Sequence, residues 1–278
     1  MLDPPVPVPR ALTWATHIDV LPLDRELSRR GDCTVVHSPS NPTHWWGNLL
    51  LFDEPPAPGE MRSWERRFAT EFATDTGVRH VTLAWDRTDG ALGAANEFVV
   101  AGYALEETVA LTAAPAALSH HPRAHREVHI RTLDPEPGAD ASAWEQAIAL
   151  SAANSPELDR RAAAAFTERR LADLRELFRD GRGAWYVAQI GRRVVAACGV
   201  VVTAGRGRYQ HVDTEAGERR RGIASRLVVA AGQHAAERYG AERLVICADP
   251  GYHALGLYES LGFAVAERTA GVCRRPSA

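Results

Sequence analysis

The stretch Val212-Asp213-Thr214-Glu215-Ala216-Gly217-Glu218-Arg219-Arg220-Arg221-Gly222-Ile223-Ala224-Ser225-Arg226-Leu227 constrains the fold more than any other part of the chain. Val212 and Thr214 alternate as strand residues do, Gly217 interrupts the run, and Ile223, Leu227 and Ala231 recur at helical spacing. The pattern predicts a strand that turns tightly into a helix. At such a junction the first amides of the helix have no intrahelical acceptor and sit at the positive end of the helix dipole, which makes a ready anion site. Gly222 and Ala224 carry little bulk, so a diphosphate can approach the main chain closely, and Arg219, Arg220 and Arg221 surround the turn.

Two familiar phosphate motifs are excluded. A P-loop needs a lysine, and the chain contains none; the dinucleotide fingerprint Gly-x-Gly-x-x-Gly is also missing. Arg219-x-x-Gly222-x-Ala224 instead resembles the coenzyme A pyrophosphate loop of the GNAT acyltransferases, Gln/Arg-x-x-Gly-x-Gly/Ala. The downstream residues carry the resemblance further. Leu244-Val245-Ile246-Cys247-Ala248 reads as a buried strand. The segment Tyr252-His253-Ala254-Leu255-Gly256-Leu257-Tyr258-Glu259-Ser260-Leu261-Gly262-Phe263 is similar to the family's closing Asn-x-x-Ala-x-x-Leu-Tyr-x-x-Leu-Gly-Phe, with matches at Ala254, Leu257, Tyr258, Leu261, Gly262 and Phe263. Gly251 stands where the family has Asn, so that side-chain contact to the cofactor is lost or supplied elsewhere, with Asp249 as a candidate.

Composition bounds the class. The 278 residues suffice for one large domain or two small ones, and 45% hydrophobic with 24% charged residues is globular. A net charge of −3 gives no general attraction to nucleic acid. The all-arginine basic set reflects codon bias rather than RNA binding. Cys33, Cys198, Cys247 and Cys273 are far apart with no metal spacing, as reduced thiols in a cytoplasmic protein would be. His120, His121 and His125 lack a matching carboxylate or thiol, so no metal is expected. Without a leader pattern or an apolar run long enough to span a bilayer, no membrane association is expected either.

The segmentation expected from the sequence is 1–118, a linker at 119–125, and 126–278. In the last, Glu127–Leu133 reads as a strand, and helices follow with Trp144, Ile148 and Leu150 on one and Phe166, Leu171, Leu174 and Phe178 on the other. Two hairpins then lead into Val212. Strand, two helices, three antiparallel strands, helix, strand, helix, strand is the GNAT order. The first segment reads as a worn copy: strand His44–Phe52, helix Met61–Phe72, strand His80–Trp85 and a final helix near Asn96. Between its strand and helix lies Asp53-Glu54-Pro55-Pro56-Ala57-Pro58-Gly59-Glu60, where prolines delete amide donors and carboxylates repel phosphate. This copy should not bind coenzyme A. The fold class expected is α/β of the α+β type, tandem GNAT-like domains with mixed, mostly antiparallel splayed sheets flanked by helices.

The resemblance implies an acetyl-CoA-dependent N-acetyltransferase that moves an acetyl group to a primary amine in a ternary complex. Val212, Asp213 and Thr214 would bond the thioester arm where the sheet splays, and Arg219, Arg220, Arg221, Gly222, Ile223, Ala224 and Ser225 would hold the diphosphate. Tyr258 occupies the position of the family's general acid. A base must also take the proton of the amine, whose pKa when free is about 10, and His211 and Asp213 flank the splay as candidates. Two other readings stay open: an acyl-CoA-binding module without turnover, and transfer of a longer acyl group. Neither the acceptor nor the oligomeric state is readable.

Overall fold

The computed structural model describes residues 6–121, 125, 127–154, 160–251 and 254–276. Two compact units emerge.

The first unit takes Met1–Ala110, Ala248–Gly251 and Ala266–Ala278. Its elements are α1 (Leu12–Asp19), β1 (Glu26–Arg30), β2 (Cys33–His37), β3 (Leu49–Phe52), α2 (Met61–Glu71), β4 (Val81–Trp85), α3 (Ala95–Val100), β5 (Ala104–Ala113) and, from the far end of the chain, β11 (Ala264–Arg274). The strands lie in the order β1-β2-β3-β4-β11-β5. β1, β2 and β3 are antiparallel neighbours, whereas β3 and β4 are parallel and joined through α2.

The continuous apolar run of β3 is explained by burial on both faces. Leu50 and Phe52 enter a cluster with Trp64, Phe68, Trp85 and Phe98, while Leu49 and Leu51 face Trp14, Ile18 and Leu21. The strand is shorter than the expected His44–Phe52, because Trp45–Gly47 forms a 3-10 turn instead. Asn48 enforces it: the buried amide donates to the carbonyls of Asn41 and His44, both at 3.0 Å, and accepts from the Ser38 amide at 2.9 Å.

α1 was not apparent from periodicity, and its N-cap Ala11 supplies no side-chain bond. Distant carboxylates cap it. Asp86 accepts from the Arg10 and Ala11 amides at 2.7 and 2.8 Å, and Glu267 on β11 accepts from the Leu12 and Thr13 amides at 3.0 and 2.6 Å. The register Gly271↔Ala84 to Arg274↔Val81 seats β11 antiparallel on β4. The chain's last strand therefore completes its first unit.

The second unit takes Leu111–Cys247 and Tyr252–Val265. It holds β6 (His129–Leu133), α4 (Ala141–Ala153), α5 (Arg160–Arg179), β7 (Gly183–Ile190), β8 (Arg193–Thr203), β9 (Arg206–Thr214), α6 (Ile223–Tyr239), β10 (Arg243–Ala248) and α7 (Leu255–Ser260), with strand order β10-β9-β8-β7-β6. Gly232 lets α6 lie close on this sheet, since a Cβ there would stand 2.5 Å from the Tyr209 hydroxyl oxygen and 2.7 Å from Leu118.

Described residues in and beside the expected linker are bonded to the second unit. Leu118 is buried, the Ser119 amide donates to the Leu261 carbonyl at 3.1 Å, and Arg226 donates to the His125 carbonyl at 2.9 Å. Residues 122–124 and 126 of that stretch and of the boundary beside it lie outside the described residues.

Candidate functional site

Two features of β9 build the site. Its parallel ladder with β10 has three rungs, Arg206↔Arg243, Gly207↔Leu244 and Arg208↔Val245. β9 nevertheless runs on to Thr214, so its main-chain groups beyond Arg208 open toward the gap between the strands. On the other side a bulge interrupts the ladder to β8, where Ala197 faces Asp213 but Gly199 faces Gln210. Two residues, His211 and Val212, thus oppose Cys198 alone, and His211 takes a left-handed φ of 47°.

The turn after β9 passes through a 3-10 segment, Ala216–Glu218, that contains Gly217, and α6 starts at Ile223. Arg220 and Gly222 have φ of 60° and 74°, flanking Arg221. Left-handed geometry costs an L-residue roughly 1–2 kcal/mol, and alternating hand curls successive amides toward one side, as anion-binding nests do. Gly222 is the N-cap of α6 and offers no side-chain cap, so the first-turn donors are left to a ligand.

A cavity of about 260 Å³ lies at this junction. Val212, Asp213 and Thr214 line it from β9; Arg219, Arg220, Gly222, Ile223, Ala224 and Ser225 line it from the turn and α6; Tyr258 lines it from α7. Two of the residues singled out in the sequence stay off its wall. Arg221 is drawn to Glu218 and to His125 Nε2 (3.4 Å), and His211 points to Ser151. Ser225 is buried, and its hydroxyl accepts from the His121 amide at 3.3 Å.

The three arginines differ in their partners. Arg219 donates to the Thr214 carbonyl at 3.2 Å and to Asn154 Oδ1 at 2.5 Å. Arg220 is exposed and forms no ion pair among the described residues. Glu218 also lines the cavity, but its carboxylate accepts from Arg193 at 2.6 Å and from Arg221, and the Arg193 bond foremost holds its pKa below the usual carboxylate range.

Opposite the turn, α4 presents Ser151, and Asn154 follows at its end. Ser151 Oγ is 3.0 Å from His211 Nδ1. Burial, and then the nearby Arg170 charge, lowers the His211 pKa to about 4, so the imidazole is neutral near pH 7. Asp213 Oδ1 accepts from Asn154 Nδ2 at 3.1 Å, whereas Oδ2 is buried with no hydrogen-bond partner. Burial raises the Asp213 pKa, opposed by the hydroxyl of Ser151, the amide of Asn154 and the charge of Arg219.

Tyr258 is 6% exposed and packs edge-on to Phe263, with ring centroids 6.3 Å apart. Gly262 has φ of 104°, and a Cβ there would meet the Ala117 carbonyl at 2.5 Å, which explains the glycine after this helix. Tyr252 and His253 of the same motif lie outside the described residues. Asp249 Oδ1 accepts from the Gly251 amide at 2.7 Å and so serves its own turn. Asn154 and Ser151 were not singled out in the sequence, and Ala254 and Leu257 only as parts of the closing motif. For Asn154 no local signal existed, because its importance comes from meeting Asp213 and Arg219 across 59 and 65 residues of chain.

The corresponding place in the first unit is closed. β3 and β4 stay paired to Phe52↔Trp85, and the Asp86 amide bonds the Phe52 carbonyl at 2.8 Å just beyond. Before α2, the Gly59 amide donates to Glu97 at 3.0 Å and the Ala57 amide to Glu60 at 2.8 Å, so carboxylates take the donors a phosphate would need. Among the described residues no group of His, Cys, Asp and Glu is arranged to hold a metal, and no helix is long and apolar enough to cross a membrane.

Residues 148–263 match the sequence profile of the Acetyltransferase (GNAT) family. The match lies almost wholly within the second unit, which is similar there to a GNAT acetyltransferase domain. Members of the family carry out acyl-CoA-dependent acetyl transfer. Similar solved structures include a functionally unknown conserved protein from Staphylococcus epidermidis (TM-score 0.71, 12% identity, covering 92% of this chain and 96% of that one). A GCN5-related N-acetyltransferase from Kribbella flavida gives TM-score 0.62 at 18% identity, covering 91% of this chain and 90% of that one. A tandem GNAT protein from the clavulanic acid biosynthesis pathway gives 0.53 at 15%, covering 94% and 89%. At these identities the likeness is one of fold, and the fold is that of tandem GNAT proteins. The comparison with curated proteins returned no match.

Proposed function

We propose that the chain is an acetyl-CoA-dependent N-acetyltransferase acting on a primary amine by direct transfer in a ternary complex. The observation that carries this reading is one cavity joining an open helix N-terminus, a strand end open on the edge toward β10, a carboxylate and a phenol. The amides around Gly222, with Arg220, receive the diphosphate; the open edge of β9 at Val212–Thr214 receives the thioester arm. Arg219 supports the turn from behind, and Arg221 with Glu218 braces it.

In the reaction, the amine lone pair attacks the acetyl carbonyl carbon, a C–N bond forms, and the C–S bond breaks. The proton lost by the amine passes to Asp213, and the departing thiolate takes the phenolic proton of Tyr258. Asp213 suits the first role because burial raises its pKa and so its basicity. His211 has its pKa lowered to about 4, its Nδ1 faces Ser151, and it stays off the cavity wall. Gly251 at the family's Asn position favours a competing reading, acyl-CoA binding without turnover.

Both are separated by measuring free thiol release from acetyl-CoA over a panel of amines, alongside calorimetric binding. Turnover is expected with at least one amine, with a loss of about 100-fold in Tyr258→Phe, the size of a general acid's contribution. Gly222→Glu should abolish binding, since it sets an anion in the phosphate seat. Tight binding with no turnover for any amine establishes the competing reading, and unchanged affinity in Gly222→Glu removes the loop assignment.

A further inference from the structure

The carboxylate of Asp213 is held asymmetrically. One oxygen accepts from the Asn154 amide at the end of α4, the other is buried, and the Ser151 hydroxyl also supports the carboxylate. What fixes this asymmetry is Asn154. A side-chain amide can present either its oxygen or its NH2 to a neighbour, and the choice follows from the other partners. Here Arg219, which can only donate, lies 2.5 Å from one end of the Asn154 amide. That end must be oxygen, so the NH2 faces Asp213 Oδ1 at 3.1 Å and the Thr214 carbonyl at 3.5 Å.

The arrangement passes the influence of a cation to Asp213 through a neutral amide. A guanidinium bonded directly to Asp213 would hold the carboxylate ionised but destroy its basicity, and would fill both oxygens in a fork. An intervening amide gives one neutral hydrogen bond in place of that fork. We propose that Asn154 is a positioning residue that acts through Asp213: held by Arg219, it orients and keeps ionised the carboxylate that takes the proton of the incoming amine. This rests on the assignment of Asp213 as proton acceptor, and it adds a residue outside the turn and outside β9 to the reaction's machinery. It also joins the phosphate turn, through Arg219, to the carboxylate that meets the acceptor.

The groups facing Asp213 are Ser151 and Asn154 from α4 and its end, Cys198 from β8, Arg219 from the turn, and Tyr258 across the cavity, with His211 beside it on β9. Of these, Asn154 can be altered without a change of size. Asn154→Asp keeps the shape and the Arg219 contact, but replaces the donor with a second carboxylate.

The test titrates the Asp213 carboxyl by carbon-13 NMR in the full chain, a readout that needs no turnover. In Asn154→Asp its pKa is expected to rise by roughly one unit or more. The acidic limb of kcat/KM for the amine should move upward by the same amount, and activity should recover at higher pH. A merely structural residue would lower activity at every pH without moving the limb. Asn154→Leu, which removes the donor without adding charge, should move the titration in the same direction and serves if the first variant does not fold.

Superimposable titrations in the folded variants overturn the proposal. Asp213→Asn separates it from the reading beneath it. If that variant keeps wild-type turnover, the base assignment fails and the inference fails with it. If turnover is lost there while Asn154→Asp titrates as wild type, the inference alone fails.

Discussion

His211 shows how one residue can carry two signals that only the structure disentangles. As a histidine beside the splay it reads as a base, yet the bulge turns it toward Ser151 and Trp185 and away from the cavity wall. Its left-handed φ is tolerated better by His or Asn than by most residues. Burial makes it a stability element with a definite pH signature. Its folded pKa of about 4 is below the ordinary 6.5, so in that interval the unfolded chain binds the extra proton. Stability contributed by the neutral imidazole is therefore full above about pH 6.5 and is lost as pH falls toward 4, by on the order of 3 kcal/mol at most. His211→Asn, which keeps the backbone preference but does not titrate, should show a flatter fall in urea-unfolding free energy between pH 6.5 and 4.5 than wild type. Parallel curves for the two proteins would rule this out.

At the scale of the element, the contrast lies between α6 and α1. The start of α6 was legible in the sequence because everything that shapes it is local: Gly222, Ala224 and the arginines are neighbours in the chain, and helix geometry alone exposes the amides. α1 was not legible, because it has no local cap and borrows Asp86 and Glu267 from far away. Glu267 serves the Leu12 amide, the Thr13 amide and the Thr13 hydroxyl at once. Glu267→Ala should lower the stability of the first unit by about 2 kcal/mol, the size of a lost cap with donors left buried, and Glu267→Gln by less. Urea denaturation of the two variants checks the order; equal stability of Glu267→Ala and wild type would show that water replaces the carboxylate.

For the whole molecule, the decisive feature is the use of the chain's end. Both units run three antiparallel strands into a helix and then a parallel strand, so the repeated plan inferred from the sequence has a counterpart in the topology of each. The closing strand follows different logic, since β11 pairs with β4 and supplies Ala270 and Val272 to the core of the first unit. Removing residues 264–278 should therefore cost the first unit its core strand and the α1 cap together. Unpaired β4 would present an open edge, so the truncated chain should aggregate or lose its cooperative thermal transition. A soluble truncated protein that unfolds cooperatively at the wild-type temperature would contradict that account.

By itself the sequence determined the tight turn before α6, the order of elements around it, and the proline-rich, acidic character of the corresponding turn at Asp53–Glu60. Each of these depends on residues adjacent in the chain, where backbone geometry and charge act over a few ångströms. Only the tertiary structure decided that Arg219 and Arg221 bond to side chains around the turn while Arg220 forms no ion pair among the described residues, that Asn154 bonds Asp213, and that the last strand belongs to the first unit. Those outcomes depend on which side chains and strand edges meet after long loops close, and hydrogen-bonding capacity written in the sequence does not say which partner will satisfy it.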